Sequence, residues 1–105
     1  MAESLARTVQ RFVETCSYVI SVHDLVTKVR LELQGGYFVD LYYNDTLGKY
    51  AYTLVRHNQR VISWDNARHH PDLPNFPHHF HHVDGHVEPS NLVGIPEQDI
   101  DVSSQ

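Results

Sequence analysis

The amino-acid sequence predicts an α+β domain in which an N-terminal helix packs on a four- to five-stranded antiparallel meander sheet, followed by a loop rich in proline and histidine. Three observations favour this fold class. An apolar stripe of helical period occupies the N-terminus, segments of strand character follow it, and only about two to five residues join those segments. Strands joined by such short loops pair antiparallel, because a parallel crossover needs about a dozen residues or more.

The length and the charge distribution bound the domain organisation. A chain of 105 residues fits one small domain. Acidic and basic residues balance through residue 83, so the formal net charge of -5 comes from the C-terminal segment. We therefore expect one domain over residues 1–86, with the His-rich loop at residues 64–82, and an acidic, flexible tail over residues 87–105. No apolar run reaches the roughly 18–20 residues that span a bilayer, so we expect no membrane segment.

The cysteine content indicates the compartment. Cys16 is the one cysteine of the sequence and cannot form an internal disulfide bond. Such a chain suits a reducing environment, and the N-terminus lacks the basic and continuous apolar regions of a secretory signal. The sequence therefore predicts a cytoplasmic protein.

The predicted helix covers about residues 4–16. Ser4 precedes its apolar stripe and can cap the helix N-terminus. The residues of the stripe recur at helical spacing and are Leu5, Val9, Phe12, Val13 and Cys16. Because this stripe must be buried, it favours packing of the helix on one face of a sheet.

Five segments after the helix are rich in the β-branched and aromatic residues that favour strands. They cover residues 18–22, 27–33, 37–43, 49–56 and 60–64. Glycine-containing turns follow the second and third segments, and the last two segments are predicted to pair as a hairpin.

The stretch at residues 63–82, SWDNARHHPDLPNFPHHFHH, holds six of the nine histidines. Three prolines punctuate it, which favours a stiff, extended loop over a helix. Histidine exchanges protons near neutral pH and is the commonest metal ligand. A histidine density of this kind predicts a functional site.

Metal-free RNA cleavage is one chemistry that the stretch can carry. One imidazole removes the 2′-hydroxyl proton while a second protonates the leaving 5′-oxygen. The candidate catalytic residues are Asp65, His69, His70, His78 and His79, with Asp65 orienting a histidine tautomer. The candidate substrate-binding residues are Tyr52, Trp64, Asn66 and Arg68, where aromatic rings would stack an unpaired base and the guanidinium would stabilise phosphate charge.

Zinc binding is the alternative chemistry, because Zn²⁺ accepts three or four histidine or carboxylate ligands. His79 and His81 are two residues apart, and the loop can bring back His69, or His70 in its place, to complete a site with an open water position. The favoured metal-free mechanism requires no cofactor, so zinc belongs to the alternative alone.

Structural roles compete with these assignments. Trp64 and Phe76 are large aromatic residues of the kind that usually anchor a core, and Tyr52 also fits a packing role. Asp65 and Asn66 at a strand end equally fit a turn in which the side chain bonds its own backbone. The histidine cluster as a whole is the feature that favours function.

The motif resembles the signature of the TumE family of bacterial and archaeal toxins. The residues on or close to that signature are Trp64, Asp65, Asn66, Ala67, His69, His70, Pro71, Phe76, Pro77, His78, His79, His81 and His82. Arg68 stands where the family usually has proline, and Phe80 stands where a basic residue is common, which removes a candidate phosphate contact. The resemblance covers about residues 15–90 and leaves the catalytic mechanism open.

The resemblance implies the toxin of a type II toxin–antitoxin pair, whose antitoxin carries a helix-turn-helix DNA-binding domain. Together with the histidine cluster it predicts a toxin that acts on RNA as an endoribonuclease. A non-catalytic zinc-binding or protein-interaction module is the alternative, and a homodimer is left open.

Overall fold

The computed structural model of the chain describes residues 3–103, with side chains described through residue 100. Two α-helices, one at each end of the described chain, are separated by seven strands, with a short 3-10 helix (Gln34–Gly36) between the second and third strands. They are α1 (Glu3–Thr15), β1 (Val19–Asp24), β2 (Val29–Leu33), β3 (Tyr37–Asn44), β4 (Lys49–Arg56), β5 (Gln59–Asp65), β6 (His79–His81), β7 (Val87–Pro89) and α2 (Pro96–Ser103).

All seven strands form one sheet in the order of the chain, and each neighbouring pair is antiparallel. The predicted α+β class is confirmed, as are the N-terminal helix and the antiparallel sheet. The predicted count of four to five strands is wrong. The additional strands, β6 and β7, have three residues each and therefore carry too little alternation to be read from sequence.

The helices cover one face of this sheet, which we call the helix-side face. Leu5 and Val9 of α1 join the buried core with residues of the sheet and with Leu92. The core residues contributed by the strands are Val29, Leu31, Leu41, Tyr50 and Tyr52, with Trp64 partly buried against them. Side chains alternate along a strand, so the intervening residues point to the opposite face, which we call the outer face.

Residues 87–103 of the predicted flexible tail contain regular structure. Strand β7 adds to the sheet, and α2 packs beside α1, where the Arg7 Nε donates a 2.6 Å hydrogen bond to Glu97. Leu92 and Asp99 are fully buried. Hydrogen bonds and isolated apolar residues attach residues 87–103 to the domain. The sequence of this segment therefore shows no periodic apolar stripe. Across the described residues, no helix has the length and apolar character needed to cross a membrane.

Candidate active site on the outer face

The pairing of β5 with β6 places three chemically active side chains on the outer face. Asp65 lies opposite His79, and Ser63 lies opposite His81. Residues opposite each other in an antiparallel pair point to the same face, and residues two apart on one strand do so as well. Asp65, His79 and His81 therefore converge.

One carboxylate contacts both strand histidines. The Nε2 of His79 lies 2.9 Å from the Oδ1 of Asp65, and the Nε2 of His81 lies 3.2 Å from its Oδ2. The loop between the two strands adds His70, whose ring centroid lies 4.8 Å from that of His79 and 6.0 Å from that of His81. We call Asp65, His70, His79 and His81 the outer-face cluster.

Burial and hydrogen bonds to the backbone fix the orientation of two side chains of the cluster. The side chain of His79 is 2% exposed, and its Nδ1 lies 2.9 Å from the carbonyl oxygen of Pro77. Asp65 also accepts a 2.9 Å hydrogen bond from the backbone N–H of Ala67, which forms the turn at the strand end. Burial lowers the pKa of His81, while the carboxylate of Asp65 acts in the opposite direction. Both the catalytic and the turn interpretation of Asp65 are therefore compatible with its contacts.

A groove of about 750 Å³ adjoins the cluster, and Asp65 forms part of its wall. Lys49, Arg68 and His69 also line it, together with Tyr42. Its volume falls within the range typical of small-molecule sites, about 300–1,000 Å³. The combination of two cationic side chains, an imidazole and a phenol ring suits an anionic ligand that carries an aromatic base.

Asn66 and Phe76 organise the loop that forms this groove. The Asn66 amide donates a 2.7 Å hydrogen bond to the carbonyl of Gly48 and accepts a 3.0 Å hydrogen bond from the N–H of Tyr50. The Arg68 guanidinium lies over the Phe76 ring, 4.7 Å from its centroid. The amide of Asn66, predicted to bind substrate, thus bonds to the backbone of the neighbouring turn and strand.

Three of the predicted site residues lie on the helix-side face instead. His78 accepts or donates a 2.8 Å hydrogen bond with the hydroxyl of Tyr50, and burial lowers its pKa. Trp64 packs against Phe80 with ring centroids 4.8 Å apart. Tyr52 is buried and bonds to α2 through its hydroxyl.

The structure therefore brings together part of the predicted set. Asp65, His70 and His79 meet in the outer-face cluster, and Arg68 and His69 line the adjoining groove. His81, predicted as a metal ligand alone, contacts the same carboxylate. The alternation in His79-Phe80-His81 was the available signal, but it becomes informative only once this segment is known to be a strand.

The ring nitrogens of three histidines in the cluster lie close enough to hold a metal ion. One nitrogen from each of His70, His79 and His81 falls within a set whose members are all within 4.8 Å of one another. The predicted zinc ligands were His79 and His81 with His69, or His70 in its place. The structure places His70, and not its neighbour, in this trio.

The fold and the site define an α+β protein with a histidine–carboxylate cluster on the outer face of an antiparallel sheet. A family model described as Toxin TumE matches residues 2–102, and the chain belongs to this toxin family. Membership confirms the resemblance drawn from the motif and implies an antitoxin as a partner. No curated protein and no solved structure matches the chain.

Proposed function

We propose that this chain is the toxin of a type II toxin–antitoxin pair and that it cleaves RNA at the outer-face cluster in the cytoplasm. The observation that carries the proposal is the contact of one carboxylate, Asp65, with both His79 and His81 at the wall of a cationic groove. Family membership supplies the toxin class, and the site supplies the chemistry.

Substrate binding would use the groove. Lys49 and Arg68 place positive charge where a phosphodiester can lie beside Asp65 and its histidines. Tyr42 provides a ring for an unpaired base, and single-stranded RNA is the form whose bases are free to stack in this way. The groove therefore favours single-stranded RNA over a duplex.

The reaction that fits is attack by the ribose 2′-oxygen on the adjacent phosphorus. The 2′-oxygen–phosphorus bond forms, the bond from phosphorus to the 5′-oxygen breaks, and the products are a 2′,3′-cyclic phosphate and a 5′-hydroxyl. The carboxylate of Asp65, the cluster residue in the groove wall, takes the 2′-hydroxyl proton, and His69 in the same wall gives a proton to the leaving oxygen. The sequence favoured a metal-free mechanism with one imidazole as base and a second as acid, and a zinc site with an open water position was the alternative.

The partner in this proposal is the cognate antitoxin. It neutralises the toxin by binding it, and it carries a helix-turn-helix domain that binds DNA. Expression of the chain in a bacterial host is expected to arrest growth, and co-expression of the adjacent reading frame is expected to restore it. Growth arrest that persists in the presence of every adjacent frame would contradict the pairing.

Cleavage of a labelled single-stranded RNA by the purified chain tests the activity. Asp65→Asn is expected to lower the cleavage rate by about 10² or more, because it removes the carboxylate that holds two histidines. His86→Gln is the matched control, since His86 is exposed on the β6–β7 hairpin outside the cluster. RNA with 2′-deoxyribose at the cleaved position is expected to resist. Equal cleavage by wild type and Asp65→Asn would contradict the proposal, and an intact RNA with wild type would favour a non-catalytic module.

A further inference from the structure

The hydrogen bonding of His79 leaves one of its nitrogens without a compatible neighbour. Its Nδ1 lies 2.9 Å from the carbonyl oxygen of Pro77, which can only accept, so Nδ1 carries the hydrogen of the neutral ring. The Nε2 of that ring is then a lone pair, yet it faces the Oδ1 of Asp65 at 2.9 Å. Two hydrogen-bond acceptors in contact at a buried position require a proton or a metal ion between them.

A second proton on His79 would satisfy this contact, and the Nε2–H of a neutral His81 would satisfy its own contact with Asp65. The convergence of all four side chains is therefore what favours a metal ion. The Nε2 of His81 lies 3.2 Å from the other oxygen of Asp65, and a nitrogen of His70 completes a trio within 4.8 Å. A proton joins two atoms, whereas a metal ion joins all of these donors. Donors on a tetrahedral zinc ion, with bonds of about 2.0–2.1 Å, stand about 3.3 Å apart. The two contacts of Asp65, at 2.9 Å and 3.2 Å, are close to this separation, and the three histidine nitrogens lie within 4.8 Å of one another.

The surroundings match those of a metal site. The carbonyl of Pro77 fixes the tautomer of His79, so that the lone pair of Nε2 is directed at the cluster. A histidine that binds a metal usually has such a hydrogen-bond partner on its other ring nitrogen. Ser63, opposite His81 on the outer face, has a buried hydroxyl with no hydrogen-bond partner among the described residues. Such a hydroxyl can bond to a ligand of a bound ion.

We propose that His70, His79 and His81, together with the carboxylate of Asp65, bind one divalent cation of the zinc type. Neutral imidazoles with a carboxylate are a donor set that Zn²⁺ accepts. The binding stands on the geometry of the cluster, while a catalytic part for the ion rests on the proposed function. In that part, the ion would supply a bound water of lowered pKa at the groove.

Metal titration of the full-length chain, freed of metal by a chelator, tests the inference without RNA. Zn²⁺ binding is measured by calorimetry, and Co²⁺ serves as a probe because its absorption reports tetrahedral coordination. We expect one ion per wild-type chain. We expect His81→Gln to weaken the affinity for Zn²⁺ by at least tenfold, since it removes one of the proposed ligands.

The matched control is His82→Gln. His82 and His86 both contact Glu88 on the β6–β7 hairpin and form a histidine–carboxylate group outside the cluster. The control is expected to bind one ion with wild-type affinity. Thermal melting of the metal-free proteins shows whether His81→Gln is folded, and addition of Zn²⁺ is expected to raise the Tm of wild type more than that of this variant.

The outcomes separate this inference from the proposed function. Absence of stoichiometric binding by wild type, or binding lost in His82→Gln and retained in His81→Gln, overturns the metal site and assigns a proton to the contact between His79 and Asp65. RNA cleavage that persists in excess chelator with no bound ion overturns the catalytic part of the ion and leaves the ribonuclease in place. A bound ion without any RNA cleavage supports the metal site and removes the ribonuclease.

Discussion

The hydroxyl of Tyr52 on β4 donates a 3.1 Å hydrogen bond to the buried carboxylate of Asp99 on α2. The same carboxylate accepts hydrogen bonds of 2.9 Å and 3.0 Å from the backbone N–H groups of Val93 and Gly94. Asp99 is 1% exposed, and these three donors compensate for its burial. One acidic residue of the C-terminal segment therefore attaches α2 to the helix-side face of the sheet.

Asp99→Ala is expected to destabilise the fold by about 3–5 kcal/mol, because it leaves three buried donors without an acceptor. Urea unfolding followed by tryptophan fluorescence measures the change, since Trp64 lies on the same face. Gln98→Ala, at an exposed position of α2, is the control and is expected to change the unfolding midpoint little. Equal midpoints for the two variants would show that Asp99 does not attach the helix.

The ion pairs of Asp40 on the outer face are expected to stabilise the fold in a pH-dependent way. Burial alone raises its pKa, but hydrogen bonds of 2.8 Å and 3.0 Å from Arg30 and one of 2.8 Å from Lys28 outweigh this effect and hold its pKa below the ordinary value. A lowered pKa in the folded state means that the charged form stabilises the fold. This stability is fully present above the unfolded pKa of about 3.9 and is lost as the pH falls through the lower folded value.

Asp40→Asn is therefore expected to cost about 1–3 kcal/mol at pH 7 and progressively less as the pH falls below about 4. Urea midpoints of wild type and variant at both pH values provide the measurement. Asp45→Asn in the exposed β3–β4 turn is the control, with little change at either pH. A deficit for Asp40→Asn that stays constant with pH would refute the ion-pair explanation.

The sequence predicted the helix and the first five strands because their burial is periodic. Leu5 and Val9 of the helical stripe are buried, and Val29 and Leu31 alternate with partly or fully exposed residues on β2. Each pattern reports one buried face within a single element. The C-terminal segment carries no such pattern, since Asp99 is held by hydrogen bonds and reads as an ordinary surface acid.

The candidate site was predicted in its residue types but not in its geometry. Histidine density identified the stretch, whereas the partner of each ring depends on the register between β5 and β6. His78 and His79 are adjacent in sequence, yet one contacts Tyr50 on the helix-side face and the other contacts Asp65 on the outer face. Spacing along a proline-rich segment does not encode this alternation, because the segment reads as a loop until its pairing is known.

Arg68 is expected to contribute to RNA affinity more than to the rate of cleavage. A contact to phosphate contributes to binding whatever the base sequence, so Arg68→Ala is expected to weaken the binding of every RNA. The loss of one such contact is also expected to reduce the slope of log affinity against log salt concentration by about 1. Fluorescence anisotropy with a labelled single-stranded RNA at several salt concentrations measures both effects. Arg56→Ala is the control, since that guanidinium also stacks on an aromatic ring, Tyr37, at 5.0 Å, but does not line the groove. An unchanged salt slope for Arg68→Ala would argue against a phosphate in the groove.

The adjacent histidines His78 and His79 offer the sharpest comparison within the chain. His79→Gln removes a ring from the outer-face cluster and is expected to lower RNA cleavage by about 10² or more at saturating RNA. His78→Gln changes a ring on the helix-side face and is expected to retain cleavage within about threefold. It loses the hydrogen bond with Tyr50 and is expected to cost about 1 kcal/mol of stability.

Single-turnover cleavage and urea unfolding of both variants separate the two roles. If His78→Gln remained folded but lost cleavage to the same extent as His79→Gln, the reactive group would have to lie on the helix-side face, because alternation along this segment prevents both rings from reaching one substrate.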